Sequence, residues 1–453
     1  MQKLFGRLRE IIEKYELLKF GVAALLIAVP VYPKFPFISV PGTFVSIRLE
    51  DFLVLLVTGL WFVSGFKDLR SILANRIGQA IIIYWVVALV SVISAIFLTK
   101  TVGVSIVILH LLRRIEYMIT FFIGLTTIKT SKDIAFYAKC IFIVLAVIFI
   151  FGLGQKYFNW PVITTQNQEY SKGVALRYMP GGHLASTFAG HYDLAAYIIL
   201  TSPFIIAITF SDFFKNIRTK IFLFLFAAAS FWLLINTVSR ISIASYILSV
   251  TIALFLIKKK RYILPFVIIA GGIAGMSAGL IERYKGVLQL IKDKLGNLIV
   301  PEAHAQATLP PNALQNSAPA PFAGDRSSSI RFNVEWPRAI RALSKNPLLG
   351  TGFSSITLAT DNDYLRALGE VGVAGFLAFV LIFKRLLGPI WSKLRNLNLQ
   401  DVGDLYFIGI VSAIPGILVN AVFIDVFESS KFAIMFWLML GLAVAVIKNA
   451  KTD

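Results

Sequence analysis

The chain has 453 residues, 57% of them hydrophobic and only 15% charged, with a mean hydropathy of +0.77. Water-soluble domains carry about 25% charged residues, so a soluble globular protein is excluded, and apolar runs of about twenty residues from end to end predict a polytopic membrane protein. The net charge of +20 does not mark a nucleic-acid binder, because the basic residues stand in short clusters between apolar runs, as orientation signals do.

The N-terminus, MQKLFGRLREIIEKYELLK, is basic and somewhat amphipathic. The apolar run after it ends in PVYPKFPF with no small-x-small cleavage site, which reads as an uncleaved first span rather than a signal peptide. Spans are expected near 20–33, 47–66, 77–98, 114–128, 135–154, 190–210, 220–236, 241–257, 262–280, 371–388, 404–424 and 431–448. The fourth carries HLLRRIEYM (110–118), too charged for lipid contact, so this stretch lies at the interface or faces a polar cavity. The single cysteine, Cys140, sits in an apolar run, so an intrachain disulfide is impossible. The expected fold class is all-α: a bundle of about twelve transmembrane helices.

Orientation follows from KDLRSILANR (67–76), KTSKD (129–133), KNIRTK (215–220), KKKR (258–261), KRLLGPIWSKLR (384–395) and KNAK (448–451). These clusters fall on one face, which the positive-inside rule makes cytoplasmic, with both termini. Two longer segments then lie outside, 155–189 and 281–370. The chain divides into an N-terminal membrane bundle of about nine spans (1–280), a large extracytoplasmic loop (281–370) and a C-terminal bundle of three spans (371–453). Within the loop, 301–325 is rich in Pro, Ala, Asn and Gln and nearly free of charge, which predicts a flexible excursion. Order returns after 326: Pro337 suits the first turn of a short helix (338–345), and NPLLGTG (346–352) stops it. No internal repeat, no GxxxxGK[ST] and no cytoplasmic segment long enough for a nucleotide-binding domain is present. A glycosyl donor should therefore arrive already attached to lipid.

Four constellations carry possible chemistry. RYMPGGHLASTFAGHYDLAAY (177–197) clusters Arg177, His183, His191 and Asp193. It is either an anion site, since guanidinium donors suit phosphate, or an interfacial loop whose charges meet water. Its His spacing is not a helical i, i+4 pair and no second ligand cluster accompanies it, so no metal is assigned. NTVSRISIAS (236–245) places Arg240 between two apolar spans, either at a functional site or snorkelling to the interface. In SSSIRFNVEWPRAIRALSKNPLLGTG (327–352), Arg338, Arg341 and Lys345 recur at helical spacing. Together with Arg331 they could grip a pyrophosphate or bind anionic headgroups, and Phe332 and Trp336 could lie against a sugar or lipid tail. TDNDYLRALGEVGVAGFLAF (360–379) puts Asp361, Asn362 and Asp363 before an apolar run. D-x-D is a weak divalent-metal pattern, and Asp361 alternatively caps the helix. The buried charges Glu50, Asp51, Arg113, Arg114, Glu116, Asp425 and Glu428 need partners, and some of them are expected to pair structurally.

In order, IRLEDFLVLL (47–56), TVSR (237–240), RFNVEWPRAIRALSKNPLLGTGF (331–353) and DNDYLRALGEVGVAG (361–375) resemble the motifs of the O-antigen ligase and O-antigen polymerase superfamily of bacterial membrane glycosyltransferases. The likeness runs over most of the chain. It implies a GT-C-like fold in the bacterial cytoplasmic membrane with the active site on the extracytoplasmic face. It further implies metal-independent transfer of a glycan from an undecaprenyl-pyrophosphate carrier, with no cofactor. Arg177, Arg240 and Arg331 would hold the pyrophosphate, joined by Arg338 and Arg341 from the basic stripe. Family ligases carry His at the position of Asp361, where it resembles a general base, so the departure suits a polymerase. Asp361, His191 and Glu335 are the candidate catalytic groups; Asn362, Tyr364 and Trp336 are the candidate acceptor contacts. The expected reaction extends a surface polysaccharide, with a chain-length regulator as a further partner. A ligase delivering glycan to lipid A core, protein or wall polymer is the alternative, and a lipid-linked oligosaccharide flippase is the alternative of another class.

Overall fold

The computed structural model describes residues 10, 12–13, 16–33, 36–40, 46–65, 75–162, 182–276, 330–357 and 359–449. Its helices are α1 (Leu17–Val31), α2 (Leu49–Gly65), α3 (Arg76–Ser94, continued by a π turn to Thr99), α4 (Val104–Thr127), α5 (Ser131–Tyr157), α6 (His191–Phe210), α7 (Ile217–Asn236), α8 (Arg240–Leu256), α9 (Ile263–Met276), α10 (Trp336–Lys345), α11 (Asp363–Leu394), α12 (Val402–Asn420) and α13 (Ser430–Asn449). A helix occupies each of the twelve expected spans. Among the described residues, seven helices are long and apolar enough to cross a membrane. The protein is an all-α polytopic membrane protein. One small exception is an antiparallel hairpin, β1 (Pro36–Ser39) with β2 (Ser46–Arg48), between α1 and α2.

α13 is the central element: all of its apolar window is buried, against 28% of the window of α7, which leaves most of α7 for lipid. α13 packs most closely on α4. At their crossing a Cβ on Gly441 would lie 2.2 Å from the Phe121 carbonyl oxygen, so only glycine allows the approach. Small residues that let backbones touch are the usual device where lipid removes any hydrophobic driving force. α12 packs against α6 and α8, and α11 against α3.

α11 is two helices joined by a break. Gly372 has φ 70° and ψ −176°, a region essentially confined to glycine. The freed backbone groups find partners in the 346–352 stretch. The amides of Val373 and Ala374 donate to the carbonyls of Pro347 (2.9 Å) and Leu348 (3.1 Å), and those of Thr351 and Gly352 donate to the carbonyls of Gly369 (3.0 Å) and Glu370 (2.8 Å). A broken membrane helix survives only where protein satisfies its backbone in this way. The expected span start at 371 therefore falls on the break, while helix continues back to Asp363.

The charged fourth span faces protein. In α4, Arg114 ion-pairs with Glu428 and donates to the Phe427 carbonyl at 2.8 Å, and Arg113 donates to the Ser46 carbonyl at 2.8 Å. In α11, Arg366 meets Asp425 (3.0 Å), Glu370 (3.4 Å) and Glu428 (3.5 Å). Unpaired ionised groups at this depth would cost several kcal/mol or more each, so pairing decides that these helices pack with these faces inward. Lys431, at 0% exposure, donates to the carbonyls of Pro30 (3.2 Å) and Thr187 (2.7 Å), tying α1 and the loop before α6 to the start of α13.

Candidate active site

Four segments from distant parts of the sequence meet at one end of the bundle. They are the loop 182–190 that enters α6, the turn 236–239 between α7 and α8, the π turn Arg331–Glu335 before α10, and residues 360–362 before α11.

The loop and the first turn are joined by two bonds. The Leu184 amide donates to the Asn236 carbonyl at 2.9 Å, and His183 Nδ1 lies 3.1 Å from the Thr237 carbonyl. Val238 sits at φ 56°. A β-branched residue in the left-handed region is strained, and such strain concentrates at functional sites. Ser239 and Ser242 share a hydrogen bond of 2.7 Å, and Ser242 reaches Asn420 Oδ1 at 3.1 Å. Arg240 is the first residue of α8, half-buried, directly after this turn.

His183 stacks on His191 with centroids 4.2 Å apart, and His191 lies 4.0 Å from the Tyr192 ring. Tyr192 then meets the π turn, where its hydroxyl accepts from Arg331 at 3.2 Å. The same guanidinium donates through Nε to Asp361 Oδ2 at 2.9 Å, with NH2 2.8 Å from that oxygen. The π turn is closed by the Trp336 amide donating to the Arg331 carbonyl. Single π turns inside helices recur at functional sites. Here the wider turn puts Arg331 and Glu335 on one face, with Arg338 following at helical spacing.

Three polar atoms in this stretch are buried without a hydrogen-bond partner among the described residues: Glu335 Oε2, Trp336 Nε1 and an Arg338 terminal nitrogen. Unsatisfied buried groups are rare and call for an explanation; Glu335 and Arg338 stand three residues apart on one helical face, where a ligand would supply the missing partners. Burial pushes the Glu335 carboxyl up to about 7; Asp361 adds to the rise, Arg331 opposes it, and Asp425 and Arg338 follow with smaller effects of opposite sign. Burial also raises the Asp361 carboxyl, with Arg331 pulling the other way.

Asp361 itself is clamped. It has φ 49°, and the Asp425 carboxylate accepts from the amides on both sides of it, Thr360 at 2.7 Å and Asn362 at 2.9 Å. Arg366 neutralises Asp425 from behind. The start of α11 is capped by Asn362, not Asp361: Asn362 Oδ1 accepts from Tyr364 and Leu365 at 3.0 and 2.9 Å. The D-x-D carboxylates face different partners, since Asp363 accepts from the amides of Val426 (2.8 Å) and Phe427 (3.2 Å). Asp363 also donates its amide to the Ala421 carbonyl at 3.0 Å, next to Asn420, which closes the circuit back to the Ser239–Ser242 turn.

Residues 223–380 match a family model described as O-Antigen ligase. Over these residues the chain is similar to the O-antigen ligase and polymerase superfamily. No curated protein matches it. The matched region begins in α7 and ends after the break of α11, so it contains the Val238 turn, the π turn and Asp361. This similarity supports glycan transfer of the O-antigen ligase or polymerase type.

The residues singled out in the sequence fare differently. Asp361, Arg331 and His191 join one contact chain, with Glu335 and Arg338 on the same face as Arg331. Arg341 is exposed on α10. Trp336 packs against Phe332 (4.7 Å) and Phe423 (6.2 Å). Asn362 and Tyr364, expected to touch an acceptor, use their polar atoms inside the protein; the Tyr364 hydroxyl donates to the Leu418 carbonyl at 2.7 Å. Arg177 lies outside the described residues. Sequence reasoning missed Tyr192 and the Asp425 clamp. Tyr192 carried no signal beyond its place next to His191. Asp425 was visible only as a charge near a span end.

Proposed function

We propose that this enzyme is a polymerase of a surface polysaccharide acting on the extracytoplasmic face of the cytoplasmic membrane. An acceptor sugar hydroxyl attacks the anomeric carbon of an undecaprenyl-pyrophosphate-linked glycan; the bond from that carbon to the pyrophosphate oxygen breaks, and the hydroxyl proton passes to the protein. Arg338, Arg331 and Arg240 face the leaving pyrophosphate, where charge grows in the transition state. Arg177 and Arg341 are kept as further phosphate contacts on the sequence pattern alone.

The observation that carries the mechanism is the contrast between two carboxylates. Asp361 Oδ2 takes two contacts from Arg331, while Glu335 Oε2 is buried with no hydrogen-bond partner among the described residues. A base needs an open lone pair and a pKa near the working pH. Glu335 meets both conditions, so we assign it as the proton acceptor, with Asp361 orienting Arg331 and Trp336 bordering the acceptor sugar. His191 supports Tyr192 behind Arg331.

The deciding experiment is a product analysis with purified protein and its host's lipid-linked repeat units. A ladder of longer glycans still on the carrier lipid is expected. Glycan found only on a different acceptor would replace the polymerase by a ligase, and intact substrates moved across a vesicle membrane would replace both by a flippase.

A further inference from the structure

We propose that a basic pocket at the opposite end of the bundle binds the phosphate headgroup of an anionic phospholipid. The pocket of about 400 Å³ lies where α6 ends, α7 begins and the chain leaves α8, and its lining includes Lys220, Lys259, Arg261, Asp212, Phe224 and Tyr262. α7 has 20 residues, about 30 Å at 1.5 Å per residue, and its other end carries the Val238 turn. The pocket is therefore a helix length from the Arg331–Asp361 site, and the inference does not depend on the reaction proposed there.

Three cations meet one carboxylate. Lys259 Nζ is satisfied by Asp212, at 3.0 and 2.9 Å from its two oxygens. That leaves Lys220 and Arg261 as the net positive charge. Arg261 is held in place: it donates to the Tyr262 hydroxyl at 2.9 Å, and its guanidinium carbon sits 4.8 Å from that ring's centre. Lys220 belongs to the first turn of α7, where the helix dipole adds to the attraction for an anion.

The arrangement along α7 separates a lipid from a free anion. Ile217, Lys220, Ile221 and Phe224 line the pocket at spacings of three, one and three, a single helix face. Deeper along that face, Ile221 and Phe224 are 55% and 57% exposed. A soluble phosphate would engage Lys220 and Arg261 and leave these side chains uncovered. A phospholipid places its phosphate at the cations and its acyl chains over Ile221 and Phe224, in the order in which they occur. Basic pockets between helices at a membrane surface bind acidic headgroups by this means.

The test is native mass spectrometry of the full-length protein released from detergent. It is titrated with phosphatidylglycerol, with phosphatidylethanolamine of the same acyl chains, and with inorganic phosphate. Selective retention of phosphatidylglycerol is expected. The double variant Lys220→Gln/Arg261→Gln should lose about 25-fold of it, each cation at a lipid surface being worth roughly five-fold. The control Lys384→Gln/Arg385→Gln, which alters another basic cluster, should retain it. Equal retention of the two lipids, retention of inorganic phosphate in place of lipid, or an equal loss in both double variants would overturn the assignment. Glycan transfer measured on the same samples reports separately on the site at the other end.

Discussion

Glu335 and Asp361 are both acidic, both half-buried and both close to Arg331, yet their surroundings differ. Asp361 is held by the guanidinium and by the Asp425 clamp on its flanking amides, whereas Glu335 keeps one oxygen open with its carboxyl raised to about 7. A base must be ionised, so kcat/KM should climb with pH up to about 7 and level above it. Glu335→Gln should remove that limb and lower kcat by about 10²- to 10⁴-fold, the usual contribution of a positioned proton acceptor. A variant with an unchanged pH profile would return the role to Asp361. The linkage to stability runs the other way. The folded state favours protonated Glu335, so this group's contribution is full below its unfolded pKa and is lost as pH rises through about 7. None of this division was legible in RFNVEW and TDND as strings. The sequence marks carboxylates near arginines, but which oxygen is occupied depends on how residues 30 positions apart are brought together.

At the scale of elements, the break in α11 explains why two sequence motifs occur together. NPLLGTG supplies the carbonyls and amides that the backbone around Gly372 lacks, so neither segment is stable without the other. Gly372→Ala combines a backbone region that L-residues avoid with a Cβ 2.3 Å from the Leu348 carbonyl oxygen. It should cost at least about 1–3 kcal/mol and lower the melting temperature in detergent. Activity should fall as well, because the same contacts set the start of α11 beside Asp361. A variant that melts and turns over like the parent would show that α11 can run straight. The helices themselves were readable from hydropathy, since an apolar run in lipid must satisfy its backbone internally. The break was not, because one glycine in an apolar run is compatible with a continuous helix.

Across the whole molecule, the buried seam of α4 and α13 joins elements from the two ends of the chain. Gly441→Val should overpack it, at a cost of about 1–3 kcal/mol or more, and reduce the yield of folded protein. Leu225→Ile, at a position 59% exposed on α7, should be neutral. Equal yields from the two variants would mean that the seam does not carry the fold. The ends of α6, α7, α8 and α11 gather the candidate site at one end of the bundle, and α6, α7 and α8 line a basic pocket at the other. The candidate site and the proposed lipid pocket then share three helices.

The positions of the spans, the basic clusters, the family motifs and the residue types of the site follow from the sequence alone. Hydropathy, charge spacing and short motifs are local properties, and a membrane makes local properties decisive. Pairing was decided only by the tertiary structure. Arg114 meets Glu428, Arg331 meets Asp361 and Tyr192, and Asp425 meets the amides around Asp361. Each of these contacts joins residues at least 30 positions apart, and many charged partners were available to each. Which one was taken follows from the close crossing of α4 and α13 and the folded-back loop on α11, where burial makes any unpaired charge too costly to keep.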